Sequence, residues 1–533
     1  MKRRILILAV FGLFLLFLFA TAPEKGKTEK GDFPVVNSTA DHHKFQVLKK
    51  KFKTAPEVTE ACLTCHTEAS AQVMKTIHWT WTCPKSIEEG RKPLGKGHAI
   101  NNFCISVLSN EARCTSCHAG YGWKDKNFDF KNPRNVDCLV CHDTTGTYKK
   151  FPTDAGHPPY EDKVFKGKVF KAVDLNYVAQ NVGPTSRKNC GDCHFFGGGG
   201  DNVKHGDLSS CLYNPSRDLD VHMAADGPNF SCTKCHETKA HEIPGRCYEV
   251  PPEAPDTFVL PEDKGPTLTC ESCHGSSPHK EFILNTHTNK VSCQACHIPE
   301  IARCKPTELY RDWSQAGKLD ENGKPFVKTI RKTREGVEIY NTNEGLIVEA
   351  ENVIPTYRWY NGAMKYVRAG DKLKAEGVVI INKPLGGPGD PKSKIYPFKV
   401  HRGKQPFDPV NRIFITPKLF GPKGSGAFWA EHNWEKSAKA GMEYAGFPFS
   451  GKITFVETET YWPINHEVTP KEKALSCGEC HSRHSRLAGI TGIYIPGRDY
   501  NNLLDTLGWL LAILTLLGIF IHGLGRIFIP KKK

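Results

Sequence analysis

The sequence has little apolar surface for a chain of its length. Only 39% of its 533 residues are hydrophobic, and the mean hydropathy is −0.44. Side chains alone would form a thin core, since a stable interior needs enough apolar area to offset the lost chain entropy. This shortage argues against a fold built from amino acids only. We expect large apolar cofactors to fill the interior and the chain not to fold without them.

Methionine is also scarce, whereas cysteine and histidine are abundant. The chain has 5 Met, 21 Cys and 23 His. Sixteen of the cysteines occur in eight copies of the motif Cys-x-x-Cys-His, numbered 1 to 8 in chain order. They are Cys62/Cys65/His66, Cys114/Cys117/His118, Cys138/Cys141/His142, Cys190/Cys193/His194, Cys232/Cys235/His236, Cys270/Cys273/His274, Cys293/Cys296/His297 and Cys477/Cys480/His481.

Each motif predicts one covalently attached haem c. Two thiols three residues apart can add to the two vinyl groups of a haem, and the following His binds the iron as its fifth ligand. A Cys-x-x-Cys pair alone could be a redox dithiol or half of a zinc site, but the His after every copy favours haem. We therefore predict eight haem c groups.

The scarcity of Met also indicates which residues supply the sixth ligands. Fifteen His lie outside the motifs, and neutral imidazole is a good ligand for low-spin iron. Bis-His haems of low potential are expected. The predicted sixth ligands are His43, His78, His205, His222, His241, His279, His287 and His466.

Long apolar runs occur only at the two ends of the chain. Residues 1–22 read as a signal peptide or an N-terminal membrane anchor, because Lys and Arg precede an apolar run. Residues 503–529 predict a C-terminal transmembrane helix followed by three Lys. Basic residues at both ends place both termini in the cytoplasm. We expect the inner membrane, with the catalytic domain on the periplasmic side.

His522 interrupts the C-terminal apolar run. An ionisable residue inside a span is costly, so His522 lies at the membrane interface or ligates a haem of a partner subunit.

The formal charge of +15 at pH 7 would be compatible with a protein that binds nucleic acid. Each ferric haem with two ionised propionates adds about −1, so eight haems reduce the total to roughly +7. Neutralisation of propionates explains the basic residues, and no nucleic-acid partner is expected. The remaining positive field would favour an anionic substrate.

The spacing of the motifs predicts the organisation of the chain. Residues 23–40 read as a tether, 41–300 as a seven-haem region and 477–500 as the segment of the eighth haem. Residues 301–476 contain no motif and are expected to pack on the haem core as an insert. The predicted fold is mainly α with much irregular loop, wrapped around the haem array, with helical stretches near 427–446 and 469–481 and terminal membrane helices.

Several stretches of the sequence resemble the octahaem tetrathionate reductase family, which is related to hydroxylamine oxidoreductases and multihaem nitrite reductases. They include DHHKF (41–45), PEVTEACLTCH (56–66), HWTW (78–81), NNFCISVLSNEARCTSCHAGYGW (101–123), VDCLVCHDTTGTYKK (136–150), CHFFGGGGDNVKHGDL (193–208), DVHMAADGPNFSCTKCH (220–236), PFKVHRGKQPFDP (397–409) and INHEVTPKEKALSCGECH (464–481). The resemblance covers residues 41–485. The C-terminal span is a departure from the soluble members.

The resemblance implies that the second haem is catalytic and carries a Lys as its distal ligand, with a Cys close by. Here that haem belongs to His118 in motif 2, and the nearby Cys is Cys104. Our candidate for the Lys is Lys188, with Lys204 as runner-up. A displaceable amine would protect the iron at rest and leave when substrate arrives.

The other cysteines outside the motifs are Cys83, Cys211, Cys247 and Cys304. Outside the cytoplasm these four could form two disulfides in any of three pairings.

The function expected from this resemblance is multi-electron reduction of tetrathionate, nitrite or hydroxylamine at one Lys-ligated haem, with electrons from a quinol-linked donor. A non-catalytic, membrane-anchored conduit from the quinol pool is the alternative. Oxidation of hydroxylamine is a third possibility, but no Tyr is placed to support the cross-link that it uses. A homo-oligomer is compatible with the related trimeric enzymes.

Overall fold

A computed structural model of the protein describes residues 39–83, 92–165, 167–245, 268–334 and 336–528. The predicted signal or anchor at 1–22, nearly all of the predicted tether and the terminal lysines lie outside the described residues.

The haem-motif region is built from short helices joined by irregular loops. Its helices are α1 (Ala55–Leu63), α2 (Ala69–Val73), α3 (Ile77–Thr80), α4 (Glu111–Cys114), α5 (Leu139–His142), α6 (Leu175–Gln180), α7 (Arg187–His194), α8 (Cys232–Cys235), α9 (Glu271–His274), α10 (Phe282–His287) and α11 (Cys293–His297). Short 3-10 turns occur at His42–Lys44, Gln46–Leu48, Thr115–Cys117, Pro133–Asn135, Gly197–Gly199 and Ser210–Tyr213. A two-stranded hairpin joins β1 (Lys163–Phe165) to β2 (Lys168–Phe170).

A ten-stranded mixed sheet occupies the part of the chain that has no haem motif. Its strands are β3 (Thr307–Asp312), β4 (Val327–Lys332), β5 (Val337–Asn341), β6 (Gly345–Ala350), β7 (Thr356–Tyr360), β8 (Met364–Tyr366), β9 (Val379–Pro384), β10 (Lys394–Asp408), β11 (Ile413–Phe414) and β12 (Thr454–Pro463). The order is β4-β5-β6-β3-β10-β12-β9-β8, and β7 and β11 also pair with β10. The β3–β10 and β9–β12 pairs are parallel, and the other strand pairs of the sheet are antiparallel.

The prediction of a mainly α fold is wrong, because this sheet is a major part of the structure. Its central strand β10 is buried along most of its length, including Lys399, His401 and Gln405. A strand that buries polar side chains lacks the alternation of apolar and polar residues that identifies a half-exposed strand. Its partners are also distant in sequence, since Arg402 pairs with Tyr310.

Four further helices follow β11 in the chain. They are α12 (Phe428–Glu431), α13 (Trp434–Ala445), α14 (Cys477–Cys480) and α15 (Asn502–Phe528), with 3-10 turns at Trp313–Gln315 and Lys471–Lys473. Within the described residues, α15 is the one helix long and apolar enough to cross a membrane, over Asn502–Ile527. Its apolar side chains are exposed, as Trp509, Leu511 and Ile521 illustrate.

Candidate functional site

Seven of the eight motif histidines face a second imidazole. The ring centroids of these pairs are 6.0–6.4 Å apart. The pairs are His66–His42, His194–His78, His142–His241, His274–His222, His236–His466, His297–His279 and His481–His287.

This separation fits an iron ion held between the two rings. Two Fe–N bonds of about 2 Å, with roughly 1.2 Å from each nitrogen to its ring centre, give about 6.4 Å. The donor set is also right, because imidazole pairs are the usual axial ligands of low-spin haem. The residues present therefore fit a haem at each of these seven motifs.

The two thiols of motif 1 differ in their surroundings. Cys62 lies on α1, is half-buried and contacts Cys138 of motif 3. Cys65 is exposed, and the Thr64 hydroxyl lies 3.8 Å from its sulfur. The difference arises because α1 ends at Leu63, so Cys65 falls in the turn beyond the packed face of the helix.

A haem bonded to Cys65 would cover this exposed thiol, so its exposure is compatible with a chain wrapped around the haem array. The structure places this predicted attachment point at the surface of the polypeptide, although Cys65 remains the predicted partner of Cys62 in binding one haem. Three further predicted attachment cysteines are exposed in the same way: Cys235, Cys273 and Cys477. The polypeptide therefore encloses motif 2 more completely than motifs 1, 5, 6 and 8.

Hydrogen bonds at Nδ1 orient many of the paired histidine rings. The Nδ1 atoms of His142, His236 and His481 lie 2.9, 2.8 and 3.0 Å from the carbonyl oxygens of Gly183, Pro244 and Pro496. The facing histidines of the same pairs are held in the same way. Nδ1 of His241 contacts Gln72 Oε1, Nδ1 of His287 contacts the Ile283 carbonyl oxygen, and Nδ1 of His466 contacts Asp207 Oδ2. A bond at Nδ1 fixes the tautomer and leaves Nε2 for the metal.

Burial keeps several of these imidazoles neutral, which is the form that binds iron. It lowers the pKa of His194 to about 3 and also lowers the pKa of His78 and His297. His466 is different. Burial lowers its pKa, but the hydrogen bond and charge of Asp207 outweigh burial and raise the pKa above its usual value.

Two predicted sixth ligands do not face a motif histidine. His43 Nε2 lies 3.3 Å from Asn181 Oδ1, and the neighbouring His42 faces His66 instead. Asp41 caps the short turn that orients this pair by accepting a hydrogen bond from the His43 backbone. His205 is buried against the indole of Trp462, at 5.2 Å between ring centres. The sequence offered no signal to choose between adjacent histidines.

The remaining motif histidine, His118 of motif 2, has different surroundings. It is 1% exposed, and its ring lies among aromatic side chains at centroid distances of 4.9–6.4 Å: Trp79, Trp81, Trp123, Phe128 and Phe130. Its Nε2 lies 2.6 Å from the carbonyl oxygen of Trp79, and its buried Nδ1 has no hydrogen-bond partner. Among the residues that the structure describes, no second imidazole faces His118 as one faces each other motif histidine.

The two candidate lysines lie in different environments. Lys188 is exposed, and its Nζ lies beside Gly146 rather than at motif 2. Lys204 places its Nζ 4.7 Å from the ring centre of Trp462 and interacts electrostatically with Cys117 of motif 2. Burial is the main cause that lowers the pKa of Lys204 to about 8. The structure therefore brings Lys204, the runner-up, to motif 2.

Two further lysines that were not predicted also lie near His118. Lys150 is almost fully buried, forms an ion pair with Asp137 at 3.0 Å and donates a hydrogen bond to the His118 carbonyl oxygen at 2.5 Å. Lys96 Nζ lies 4.0 Å above the Trp81 ring centre. Burial, followed by the charge of Lys150, lowers the pKa of His118 to about 3. The motif 2 region is thus rich in positive charge.

Cys104 lies directly beside motif 2, on a bent loop. Its thiol contacts Cys114, and this contact is the main cause that lowers the pKa of Cys104 to about 7. The Asn101 side chain accepts a hydrogen bond from the Cys104 backbone at 2.9 Å. The next residue, Ile105, is fully buried with φ of 64°, which is strained for a β-branched side chain.

The sheet supports both loops that meet at motif 2. Arg311 on β3 donates to the Phe103 carbonyl oxygen at 2.9 Å and pairs with Glu308 at 2.6 Å. Lys399 on β10 donates to the carbonyl oxygens of Val203 and Lys204, at 2.5 and 3.1 Å. The region without haem motifs therefore positions the backbone next to Cys104 and Lys204.

Contacts between motifs define the order of the haem sites. Thiols from different motifs are in contact at Cys62–Cys138, Cys117–Cys193, Cys190–Cys232 and Cys270–Cys293. Cys235 interacts electrostatically with Cys273, and Cys296 with Cys480. Asn189 beside motif 4 also donates to the Val140 carbonyl oxygen within motif 3. The sites thus form a row in the order 1-3-4-5-6-7-8, and motif 2 joins it at motif 4.

One disulfide joins Cys211 to Cys304. It links the loop that follows Lys204 to the start of the sheet region. Cys247 lies outside the described residues.

Comparison with known proteins agrees with this arrangement. Residues 308–484 match the family described as "Cytochrome c bacterial". The crystal structure of octahaem cytochrome c from Shewanella oneidensis is 44% identical, with a TM-score of 0.70, and the match covers 84% of this chain and 95% of that one. An uncharacterized protein of Archaeoglobus fulgidus is 24% identical over 267 residues, which cover 41% of this chain and 84% of that protein.

Proposed function

Because the chain belongs to the octahaem tetrathionate reductase family of c-type cytochromes and binds haem c covalently, we propose that it is a multi-electron reductase of small sulfur or nitrogen compounds. The observation that carries this proposal is the environment of His118. Seven motif histidines face a second imidazole, and His118 faces none among the described residues. A haem whose iron is not bound by a second imidazole is the one at which a substrate can reach the iron.

Lys204 is the distal residue of this site in the proposal, in place of Lys188. A lysine binds iron only as the neutral amine, so a pKa of about 8 instead of 10.5 lowers the cost of deprotonation. The amine remains a displaceable ligand, because protonation competes with the iron for it. Haem supplies the redox chemistry, and Lys204 controls access to the iron.

The substrates that suit this site are tetrathionate, nitrite and hydroxylamine. Two of them are anions, and Lys96 and Lys150 beside motif 2 would attract them. Their reductions consume two, six and two electrons, which a row of connected haems can deliver. Cys104 lies beside the site and is the thiol that would contact a bound sulfur compound.

The proposed location is the extracytoplasmic side of the inner membrane, with α15 as the anchor. Attachment of haem c is completed outside the cytoplasm, and the helix is long and apolar enough to span a bilayer. A membrane anchor would let the protein take electrons from the quinol pool.

The first test is turnover of the haem-loaded protein with a reduced viologen. Tetrathionate, nitrite and hydroxylamine are offered in parallel, and reoxidation of the viologen is compared with that caused by a cytochrome whose haems are all bis-His. We expect faster reoxidation with at least one substrate. No reoxidation by any of them would instead indicate an electron-transfer conduit without catalysis.

A spectroscopic test addresses the distal lysine. In the Lys204→Ala variant, one of eight ferric haems should change from low spin to high spin, because its amine ligand is gone. The exposed Lys188→Ala variant is the matched control and should keep the parent spectrum. A change in Lys188→Ala but not in Lys204→Ala would reverse the assignment; both are measured by electron paramagnetic resonance.

A further inference from the structure

The segment after motif 8 folds back tightly on the motif itself. His481 Nδ1 lies 3.0 Å from the carbonyl oxygen of Pro496. Gly497, with φ of 80°, packs so closely that a Cβ there would lie 2.5 Å from the His481 carbonyl oxygen. The chain at 496–497 is therefore fixed against the proximal ligand of the eighth haem.

Arg498 makes this segment rigid. Its guanidinium donates to the carbonyl oxygens of Leu487, Ile490 and Ile493 at 2.7, 2.6 and 3.3 Å. It also pairs with Asp499, whose carboxylate accepts a hydrogen bond from the Ile495 backbone. One side chain thus holds the whole loop between motif 8 and α15.

The membrane helix begins immediately after this loop. Asn502 starts α15, and only five residues lie between it and Pro496, so the two are at most about 20 Å apart even when the chain is fully extended. The capping contact between the Asn501 backbone and Asp505 fixes the start of the helix further. The site between His287 and His481 must therefore lie close to the membrane surface if α15 spans the bilayer.

Motif 8 is also at one end of the row of haem sites. Cys480 interacts electrostatically with Cys296 of motif 7, and the Leu475 backbone donates to the Cys296 carbonyl oxygen at 3.0 Å. Motif 1 stands at the opposite end, beyond motif 3. The route from motif 8 to motif 2 passes motifs 7, 6, 5 and 4 and does not need motif 1.

An open cavity of about 520 Å³ lies on the same loop. All its lining residues fall between His481 and Asn502, and they combine apolar Ile490 and Ile493 with the exposed cation Arg483. The cavity is open to solvent and its lining is more polar than apolar, so it suits the hydroxyl-bearing head group of a quinol whose tail remains in the bilayer.

We propose that the motif 8 end is where the protein takes electrons from membrane quinol, which binds at the cavity beside Arg483. Oxidation of one quinol to quinone releases two electrons and two protons. The two electrons would enter one at a time through the haem that His287 and His481 would hold, so that two ferric haems of the row become ferrous, and the two protons would go to the extracytoplasmic water. This inference rests on the proposed membrane anchor, and it adds the direction of electron flow, from motif 8 towards motif 2.

The test removes one haem at each end of the row. Cys477→Ala/Cys480→Ala deletes the haem of motif 8, and Cys62→Ala/Cys65→Ala deletes that of motif 1 as the matched control. Each full-length protein is placed in phosphatidylglycerol–phosphatidylcholine vesicles that contain a long-tailed menaquinol. We expect the motif 8 variant to lose menaquinol-driven haem reduction and the motif 1 variant to retain it. Reduction that persists without motif 8 would overturn the proposal.

Dithionite reduction and a haem count verify that each variant carries seven working haems. The viologen assay on the wild-type protein tests catalysis separately. If the wild type showed no turnover, the proposed reductase activity would be wrong, but the result with menaquinol would still stand.

A second measurement uses the wild-type protein and tests the proposal even if the motif 8 variant or the motif 1 variant fails to fold. The wild-type protein is irradiated in vesicles that contain a photoactivatable lipid, and labelled peptides are identified by mass spectrometry. Labels on residues 486–501 and none on residues 42–60 support the proposal. The reverse pattern contradicts it.

Discussion

At the scale of single residues, the predicted ligand His466 differs from the other imidazoles that face a motif histidine through its contact with a buried carboxylate. Asp207 accepts hydrogen bonds from His466 Nδ1 at 3.2 Å and from the backbone nitrogens of Asn465 and His466 at 2.8 and 3.0 Å. A carboxylate at Nδ1 makes the imidazole a stronger electron donor to iron. The haem of motif 5, between His236 and His466, should therefore have a lower reduction potential than it would with a neutral hydrogen-bond acceptor.

We predict that Asp207→Asn raises the midpoint potential of one haem and leaves the other seven unchanged. The amide keeps the shape of the side chain but removes its charge. A spectroscopic redox titration measures the change. Asp218→Asn is the control, because Asp218 is exposed and pairs with Lys473 at the surface. A uniform shift of all haems, or no shift, would contradict the assigned role.

Lys188 and Lys204 differ in their surroundings, and the sequence alone did not reveal this difference. Both lysines precede or follow a haem motif in sequence, and residue type alone does not distinguish them. The difference is burial, which depends on Trp462 at the end of β12 and on Lys399 in β10, both distant in sequence. These contacts cannot be read from the local sequence, so the haem motifs could be predicted but the burial of Lys204 could not.

At the scale of elements, β3 and β10 are joined by a buried ionic network. Glu308 on β3 pairs with Arg311 at 2.6 Å and accepts a hydrogen bond from His401 on β10 at 2.8 Å. Burial alone would raise the pKa of Glu308, but Arg311 and His401 outweigh burial and lower it from 4.5 to about 2. Charge pairing thus stabilises the ionised carboxylate between the strands.

This shift predicts a loss of stability in acid. A carboxyl group with a lowered folded-state pKa contributes stability above its unfolded pKa and loses that contribution as pH falls through the folded value. The free energy of unfolding should therefore fall by on the order of 3 kcal/mol between pH 4.5 and pH 2 because of Glu308. Denaturant titrations at several pH values measure this. Glu308→Gln should flatten the dependence, while the half-exposed Glu457→Gln should preserve it.

The helices were easier to predict than the sheet. The stretch predicted near 427–446 contains α12 and α13, and α13 ends at Ala445 and is followed by Gly446, whose φ of 73° suits a helix C-cap. These features are local and can be read from adjacent residues. The sheet depends on pairs such as His401 with Thr460 and Arg402 with Tyr310, which only the folded chain brings together.

At the scale of the whole molecule, the protein combines two kinds of interior. The haem-motif region has helices of four to nine residues, and several of them, including α8, α9 and α10, bury no side chain. The sheet region has cores of its own, with Phe398, Phe428 and Trp313 fully buried. The haem-motif region also has an apolar cluster around Val58, Leu139 and Val178, but its helices without a buried side chain depend on the haems for their packing.

This contrast predicts that the chain without haem does not reach its native fold and that its two regions differ in resistance to protease. Expressed without haem attachment, residues 41–300 should be cut rapidly, because helices this short are unstable when nothing packs against them. A fragment that contains β3 to β12 should persist longer, since its aromatic clusters do not depend on haem. The haem-loaded protein, treated in parallel, is the control and should resist cleavage throughout. A haem-free chain that is compact and resistant along its whole length would contradict the expectation that haem forms the core.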